Sequence, residues 1–437
     1  MSRNSLPHPT PDREVSRRSL LARAAAAGGL AFGSAAFGGS AFHPAFAADE
    51  TDIVNLDTQS ADETDIVNLD TQYPFYGTAE QAGISTLPQR YSVFMTFDLT
   101  STLKTDLQVL LARWSAAIAQ MMAGQTIGQV EPSRPSAIGD DTGEALDLGP
   151  AGLTVTVGLG PNVFSEALGL SDHKPALLRE LKELPSDAFK AGLTGGDLSL
   201  QACADDPQVA YHAIRNLARI AKGTGTAATR WAVMGFGRAS AGKGQSTPRN
   251  LMGYKDGTRN IKETADFEKF VWIKDVPAWQ QHGTYQVVRK IQMHIENWDT
   301  DRVSDQNRVF GRDKVNGAPL TGTAEFDTPD FAKKDADGAP VIDPMAHIRL
   351  AAFENNGGVR ILRRSYNYTD GINQYGFLDA GLLFVSYQND PAHFETLQAR
   401  LGASDALNEY ISHIGSGIFF VPPAPQEGAY IAKAMFD

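Results

Sequence analysis

Tyr91-Ser-Val-Phe-Met-Thr-Phe-Asp98 carries β-branched and aromatic residues over the length of a strand. Leu103 to Met122 follows with apolar residues at helical spacing and neither Pro nor Gly. The same grammar recurs downstream: Leu153–Gly158 alternates like a strand, Val209–Lys222 reads as a helix and Trp231–Phe236 as a strand. This order predicts an α+β layer rather than a strictly alternating parallel sheet. Beyond a polar, glycine-rich stretch from Gly237 to Asn250, the best interior boundary, Phe270–Ile273, Thr284–Met293, Leu382–Tyr387 and Gly417–Pro422 read as strands. His393–Leu401 and Ser404–Ser412 read as helices, so two half-chains share a strand–helix pattern.

The N-terminus reads as an address. Ser16-Arg17-Arg18-Ser19-Leu20-Leu21 is a twin-arginine pattern, an Ala/Gly-rich stretch follows, and Ala45-Phe46-Ala47 fits a cleavage site. Gly28, Gly29, Gly33, Gly38, Gly39 and Pro44 make that stretch a poor membrane span, so residues 1–47 are expected to be an export signal, leaving no stable span after cleavage. Ala48–Gln59 recurs as Ala61–Gln72, and residues 48–72 are expected to be a flexible acidic leader. A folded N-terminal domain is then expected over 73–245 and a C-terminal one over 246–437.

The 437 residues, 42% hydrophobic and 21% charged, suit a globular chain with a sizeable core. Net charge is −12, and without residues 1–47 it becomes −15, from 34 basic against 49 acidic residues. A phosphate backbone would repel such a surface, which argues against nucleic-acid partners. One cysteine, Cys203, excludes a disulfide framework and multi-cysteine metal sites. Gly237-Arg-Ala-Ser-Ala-Gly242-Lys243 nearly spells a phosphate-binding loop, but Gly244 stands where Ser or Thr should hold magnesium, and Pro248 discourages the helix that should follow. No G-x-S-x-G and no His-x-x-x-His pair occurs.

Three unusual segments remain: Met252-Gly-Tyr-Lys-Asp256-Gly257-Thr258-Arg259-Asn260, Asp343-Pro-Met-Ala-His347-Ile-Arg349, and Arg360-Ile-Leu-Arg363-Arg364-Ser365-Tyr-Asn-Tyr368. In the first, Lys-Asp-Gly is a turn signal that would give Gly257 a positive φ. Together they resemble the dye-decolorising peroxidase family, whose G-x-x-D-G signature fits Gly253–Gly257. Gly283-Thr-Tyr285, Gly311-Arg-Asp-Lys314 and Gly317-Ala-Pro-Leu320 extend the likeness over nearly the whole mature chain. The exported branch that includes deferrochelatases is the most similar.

The resemblance implies two tandem ferredoxin-like modules with antiparallel sheets and flanking helices, and one haem b held mainly by the C-terminal module. It makes His347 the proximal ligand of the haem iron, with Glu409 as the acidic partner of the ring and Asp405 as the fallback. It makes Asp256 and Arg363 the residues that promote O–O cleavage of hydrogen peroxide. Aspartates ordinarily titrate near ~3.9, so a base of this type implies an acidic activity optimum. Gly257, Thr258, Arg259, Phe353, Glu354 and Arg363 become expected haem contacts, Arg259 toward a propionate. Ser365 stands where some relatives carry Asn. Bulky reductants would give up electrons through oxidisable aromatics, with Trp298, Tyr366 and Tyr368 candidates by residue type. The implied partners are hydrogen peroxide, small-molecule reductants and the twin-arginine export machinery; the expected location is periplasmic or extracellular. Iron-uptake partners and a homo-oligomer are also compatible with the likeness. A haem-handling protein that stores haem or releases its iron is the alternative, and a non-haem interaction domain of the same fold is a third.

Overall fold

A computed structural model of the chain describes residues 67–237 and 247–437. The expected export signal, the leader up to residue 66 and positions 238–246 of the interior boundary, with the lysine of the discarded phosphate-loop motif, lie outside the described residues.

In the N-terminal half, β1 (Tyr91–Leu99) leads into α1 (Lys104–Met122), then β2 (Thr154–Leu159), β3 (Leu198–Ala204), α2 (Pro207–Thr224) and β4 (Ala227–Phe236). The limits of α2 follow from local chemistry. Asp206 caps it by accepting from the Gln208 and Val209 amides, Pro207 occupies the first turn, and Gly225 ends it with φ +70°. In the C-terminal half, β5 (Thr284–Met293) is followed by α4 (Ile295–Asp299), α5 (Val303–Phe310) and α6 (His347–Ala351), with α3 (Thr264–Phe270) preceding it. Then come β6 (Leu362–Arg363), β7 (Tyr366–Ile372), β8 (Leu378–Gln388), α7 (Pro391–Ser404) and β9 (Ile411–Val421).

All strand pairings are antiparallel, in the order β2–β3–β1–β4 for the first half and β9–β5–β8–β7 for the second. Taken within each half, this is the same ferredoxin-like order, fourth strand, first, third, second. The halves join at both edges, Leu159 beside Phe420 and Gly235 beside Tyr368, which closes the sheet into a ring. β6 and β7 keep one register on β8, interrupted at Arg364 and Ser365. Pleating sends consecutive side chains to opposite faces. Accordingly Arg363 lines a cavity, while buried Arg364 donates to the Thr86 carbonyl and to Gln89 Oε1.

Three elements depart from the sequence expectation. Phe270–Ile273 is not a strand: the Val271 and Trp272 amides reach back to the Phe267 carbonyl, extending the turn that ends α3. Ser404–Ser412 is not one helix, because α7 stops at Ser404, Asp405 starts a short 3₁₀ turn (Ala406–Glu409), and β9 begins at Ile411. Hydrogen bonding also begins ahead of Tyr73, where the Leu69 and Thr71 carbonyls accept from Ala151 and Gly152.

Candidate active site

The signature loop is pinned on both sides of Asp256. Tyr254 lies flat on Phe310, ring centres 4.0 Å apart, and its hydroxyl donates to Asn307 Oδ1 at 2.6 Å. Lys255 pairs with Glu325, whose other oxygen accepts from the Thr258 hydroxyl at 3.0 Å. Gly257 takes φ +123°, a conformation that costs a side-chain-bearing residue several-fold more than glycine. Between these anchors Asp256 reaches the cavity wall, where Arg363 Nη1 donates to its Oδ1 at 2.6 Å. Asn260 secures the arginine, since its side chain donates to the Arg363 carbonyl at 2.7 Å and accepts from the Arg363 amide at 2.9 Å. Sequence reading missed Asn260 and Glu325. Asn260 carried one usable signal, its place three residues after the signature.

His347 opens α6. The turn before it is held by Asp343, and the Met345 carbonyl accepts from the Ala406 amide at 3.0 Å, tying His347 to the end of α7. His347 Nδ1 donates to Asp405 Oδ2 at 2.6 Å, while Asp405 Oδ1 accepts from the Leu407 amide at 2.9 Å. The partner of the ring is therefore Asp405 rather than Glu409. Asp405 is buried where helix and turn meet; Glu409 lies exposed at the far end of the turn. Burial works against the imidazolium, but the Asp405 carboxylate, with Asp256 beyond it, outweighs that cost and raises the His347 pKa above its ordinary value.

His347, Asp256 and Arg363 share one cavity of about 250 Å³. Its walls are the β5–β8–β9 face, through Ile291, Met293, Leu382 and Phe384, and α7, through Phe394 and Leu397. Gly257, Thr258, Arg259 and Phe353 also line it, but Glu354 does not. Glu354 instead accepts a bidentate pair from Arg259 at 2.6 and 3.1 Å, and Arg259 lies over the Phe353 ring at 4.4 Å. Ser365 lines a smaller neighbouring cavity with Asp256 and Arg363 and accepts from the Val385 amide at 3.3 Å. Trp298, Tyr366 and Tyr368 are all buried.

The cavity has two imidazoles on its lining, His347 and His413. His413 is buried with its Nε2 beside the Gln398 amide, whereas His347 has its Nδ1 committed to a carboxylate and suits ligation of an iron porphyrin through Nε2. Residues 81–237 match the Dyp-type peroxidase N-terminal domain, and residues 247–426 match the Dyp-type peroxidase C-terminal domain. The chain belongs to the Dyp-type peroxidase family. It is 39% identical over 376 residues to a deferrochelatase of Yersinia pestis bv. Antiqua, covering 83% of this chain and 85% of that one. A deferrochelatase of Escherichia coli K12 is 38% identical over 368 residues, covering 81% and 84%. Among solved structures, a DyP-type peroxidase from Streptomyces coelicolor matches with a TM-score of 0.78 at 38% identity, covering 84% of this chain and 97% of that one. Ferric DtpA from Streptomyces lividans matches equally well, TM-score 0.78 and 38% identity, covering 85% and 98%. As a Dyp-type peroxidase the chain is an enzyme that uses hydrogen peroxide and a reductant, and its cofactor is haem.

Proposed function

We propose that this Dyp-type peroxidase binds haem b through His347 and oxidises phenols, dyes or similar small reductants, with Asp256 and Arg363 handling the protons and charge of peroxide. The observation that carries this reading is the Asp256–Arg363 pair, at 2.6 Å, on the wall of the cavity that His347 enters. Bound haem supplies a redox-active iron that peroxide oxidises. Asp256 accepts the proton of the incoming peroxide and passes it to the departing oxygen, which leaves as water. Arg363 orients the carboxylate and steadies negative charge as the O–O bond separates. Asp405 keeps the His347 ring in one tautomer and makes Nε2 more electron-rich. Arg259, at the cavity mouth, is placed to meet a propionate.

Stopped-flow mixing with peroxide tests the assignment on the haem-loaded protein. Asp256→Asn should slow the first spectral change by about 10²–10⁴-fold while leaving haem uptake intact. An unchanged rate would remove Asp256 from the mechanism. The deferrochelatase relatives support a second reading, release of iron from haem; iron-uptake partners and a homo-oligomer are further proposals that go with it. Metal-free porphyrin appearing on incubation with haem and without peroxide would favour it.

The twin-arginine pattern at Ser16–Leu21 and the Ala45-Phe-Ala47 site support export to the periplasm or beyond. Replacing Arg17 and Arg18 by Lys should leave the protein inside the cell with its first 47 residues attached; unaltered export would refute this route.

A further inference from the structure

Lys255 stands next to Asp256 in the chain, lines the same cavity and carries an ammonium that the peroxide step does not use. Its direction is fixed by three residues from the chain beyond α5. Glu325 Oε2 takes the ammonium, and only 16% of the lysine side chain and 7% of the glutamate are accessible. The lysine stem runs over Gly317, where a Cβ would fall 2.8 Å from Lys255 Cδ, so any side chain there would push the stem out of its groove. Arg312 braces both walls of that groove, its Nη1 donating to the Gly317 carbonyl at 2.6 Å and to the Glu325 carbonyl at 3.0 Å.

Glu325 is itself held charged and in place. Asp327 fixes its turn, accepting from the Thr323 and Ala324 amides at 2.7 and 2.9 Å. Burial raises the Glu325 pKa, but donation from Lys255, Thr247 and Thr258 outweighs that and keeps it below the ordinary carboxylate value. Thr247 precedes Pro248, whose carbonyl accepts from the Asp256 amide at 2.8 Å. One carboxylate therefore grips the chain before Asp256, beside it and after it.

The charges around Asp256 show what this grip prevents. Arg363 already donates to Asp256, and Arg259, Arg312 and His347 line the same cavity. A carboxylate that gains a further cation binds a proton less well, so a freed ammonium beside Asp256 would compete with the proton that peroxide has to give up. We propose that Glu325, with Gly317 and Arg312, is a positioning residue that turns the Lys255 ammonium away from Asp256 and leaves that carboxylate free to take the peroxide proton. The inference rests on the peroxidase reading and gives the lysine of the signature, beside its aspartate, a part in it.

The test mixes haem-loaded protein with peroxide in a stopped-flow spectrometer. Glu325→Gln keeps the size of the side chain and removes its charge; it should slow the first spectral change by about 10-fold or more, as neighbours in one charged network do. Removing the freed ammonium as well, in Glu325→Gln/Lys255→Met, should restore most of the rate, which a clamp acting on loop structure alone would not allow. A double variant as slow as Glu325→Gln, or a Glu325→Gln rate equal to that of the wild type, would overturn the proposal. So would a crystal structure of Glu325→Gln with Lys255 still in its groove. If Glu325→Gln did not fold, the double variant decides alone: a rate close to wild type supports the proposal, and a loss of about 10-fold overturns it. Asp256→Asn run alongside separates this outcome from failure of the peroxidase reading. No slowing in that variant sinks both, whereas slowing there with none in Glu325→Gln sinks only the role of Glu325.

Discussion

The two halves of the sheet share one strand order and differ in what covers them. Between the first two strands of the N-terminal half stands one long helix, α1, whose Leu107, Leu110, Leu111, Trp114 and Ile118 are buried against Val155, Val157, Leu198 and Leu200. Between the corresponding strands of the C-terminal half the chain runs through α4, α5 and α6, of five, eight and five residues, and long connections. These short pieces cannot fill the sheet face as a continuous helix does. The β5–β8–β9 surface therefore keeps a cavity, with Leu382 and Phe384 only partly buried on its wall. One topology yields a packed core where a helix covers the sheet and a ligand slot where it does not.

The sharpest way to break this comparison is the same substitution in each half. Leu110→Ala removes a fully buried side chain from a close-packed face and should cost about 2–5 kcal/mol of stability. Leu382→Ala trims a side chain already facing open space, so it should cost the haem-free protein clearly less and show itself instead as weaker haem uptake. Denaturant titration of both variants without haem, followed by haem titration, checks this. Equal losses of stability would mean that the cavity collapses in the haem-free state.

How much of this could be read from the sequence follows the same division. Where a helix or strand has one wet face its period shows, as in Lys104–Met122 and Trp231–Phe236. β3 went unread although Leu-Ser-Leu-Gln-Ala-Cys-Ala alternates, because its polar side chains are buried too. They serve a network inside the ring, in which Gln201 accepts from Gln286 at 3.0 Å and from Tyr387 at 2.8 Å. Phe270–Ile273 misled because a short apolar run carries no period. At the site, the resemblance picked out Asp256, His347 and Arg363, and the fold brings all three to one cavity. The choice between Asp405 and Glu409 was not legible, since it depends on which of two nearby carboxylates the α7 terminus turns inward. Glu354 was misplaced for a related reason: its partner, Arg259, is far away in sequence.

The next largest effect is expected at the His347–Asp405 pair. Iron binding requires Nε2 without its proton, and Asp405 raises the affinity of the ring for protons. Haem uptake by the wild type should therefore weaken as pH falls through a midpoint above the ordinary histidine value of about 6.5. Asp405→Asn removes the main stabiliser of the imidazolium, so the midpoint should move to lower pH, while peroxide reactivity or affinity at neutral pH drops by about 10–100-fold. The pair also bears on folding without haem. A histidine whose pKa is raised in the folded state contributes stability at pH below its unfolded value, and that contribution is lost as pH rises through the folded one. The melting temperature of the haem-free wild type should accordingly lose this increment with rising pH above about 6.5, and Asp405→Asn should abolish the dependence. Glu409→Gln should change neither profile; matching shifts in that variant would restore Glu409 as the partner.

The smallest effect lies at the mouth, in the Arg259–Glu354 pair, whose side chains are 33% and 39% accessible. At that exposure the pair should contribute no more than about 1 kcal/mol to stability. Its consequence is for ligand binding, because a haem propionate and Glu354 are rival carboxylates for one guanidinium. Arg259→Gln should therefore weaken haem binding a few-fold, whereas Glu354→Gln, by releasing the arginine, should leave affinity unchanged or slightly higher. Haem titration at low and moderate ionic strength distinguishes the two, since the effect of Arg259 should shrink as salt screens it. Equal losses in both variants would show that Glu354 holds Arg259 in its binding position over the Phe353 ring rather than competing for it, and the mouth would then be as preorganised as the pair at Asp256.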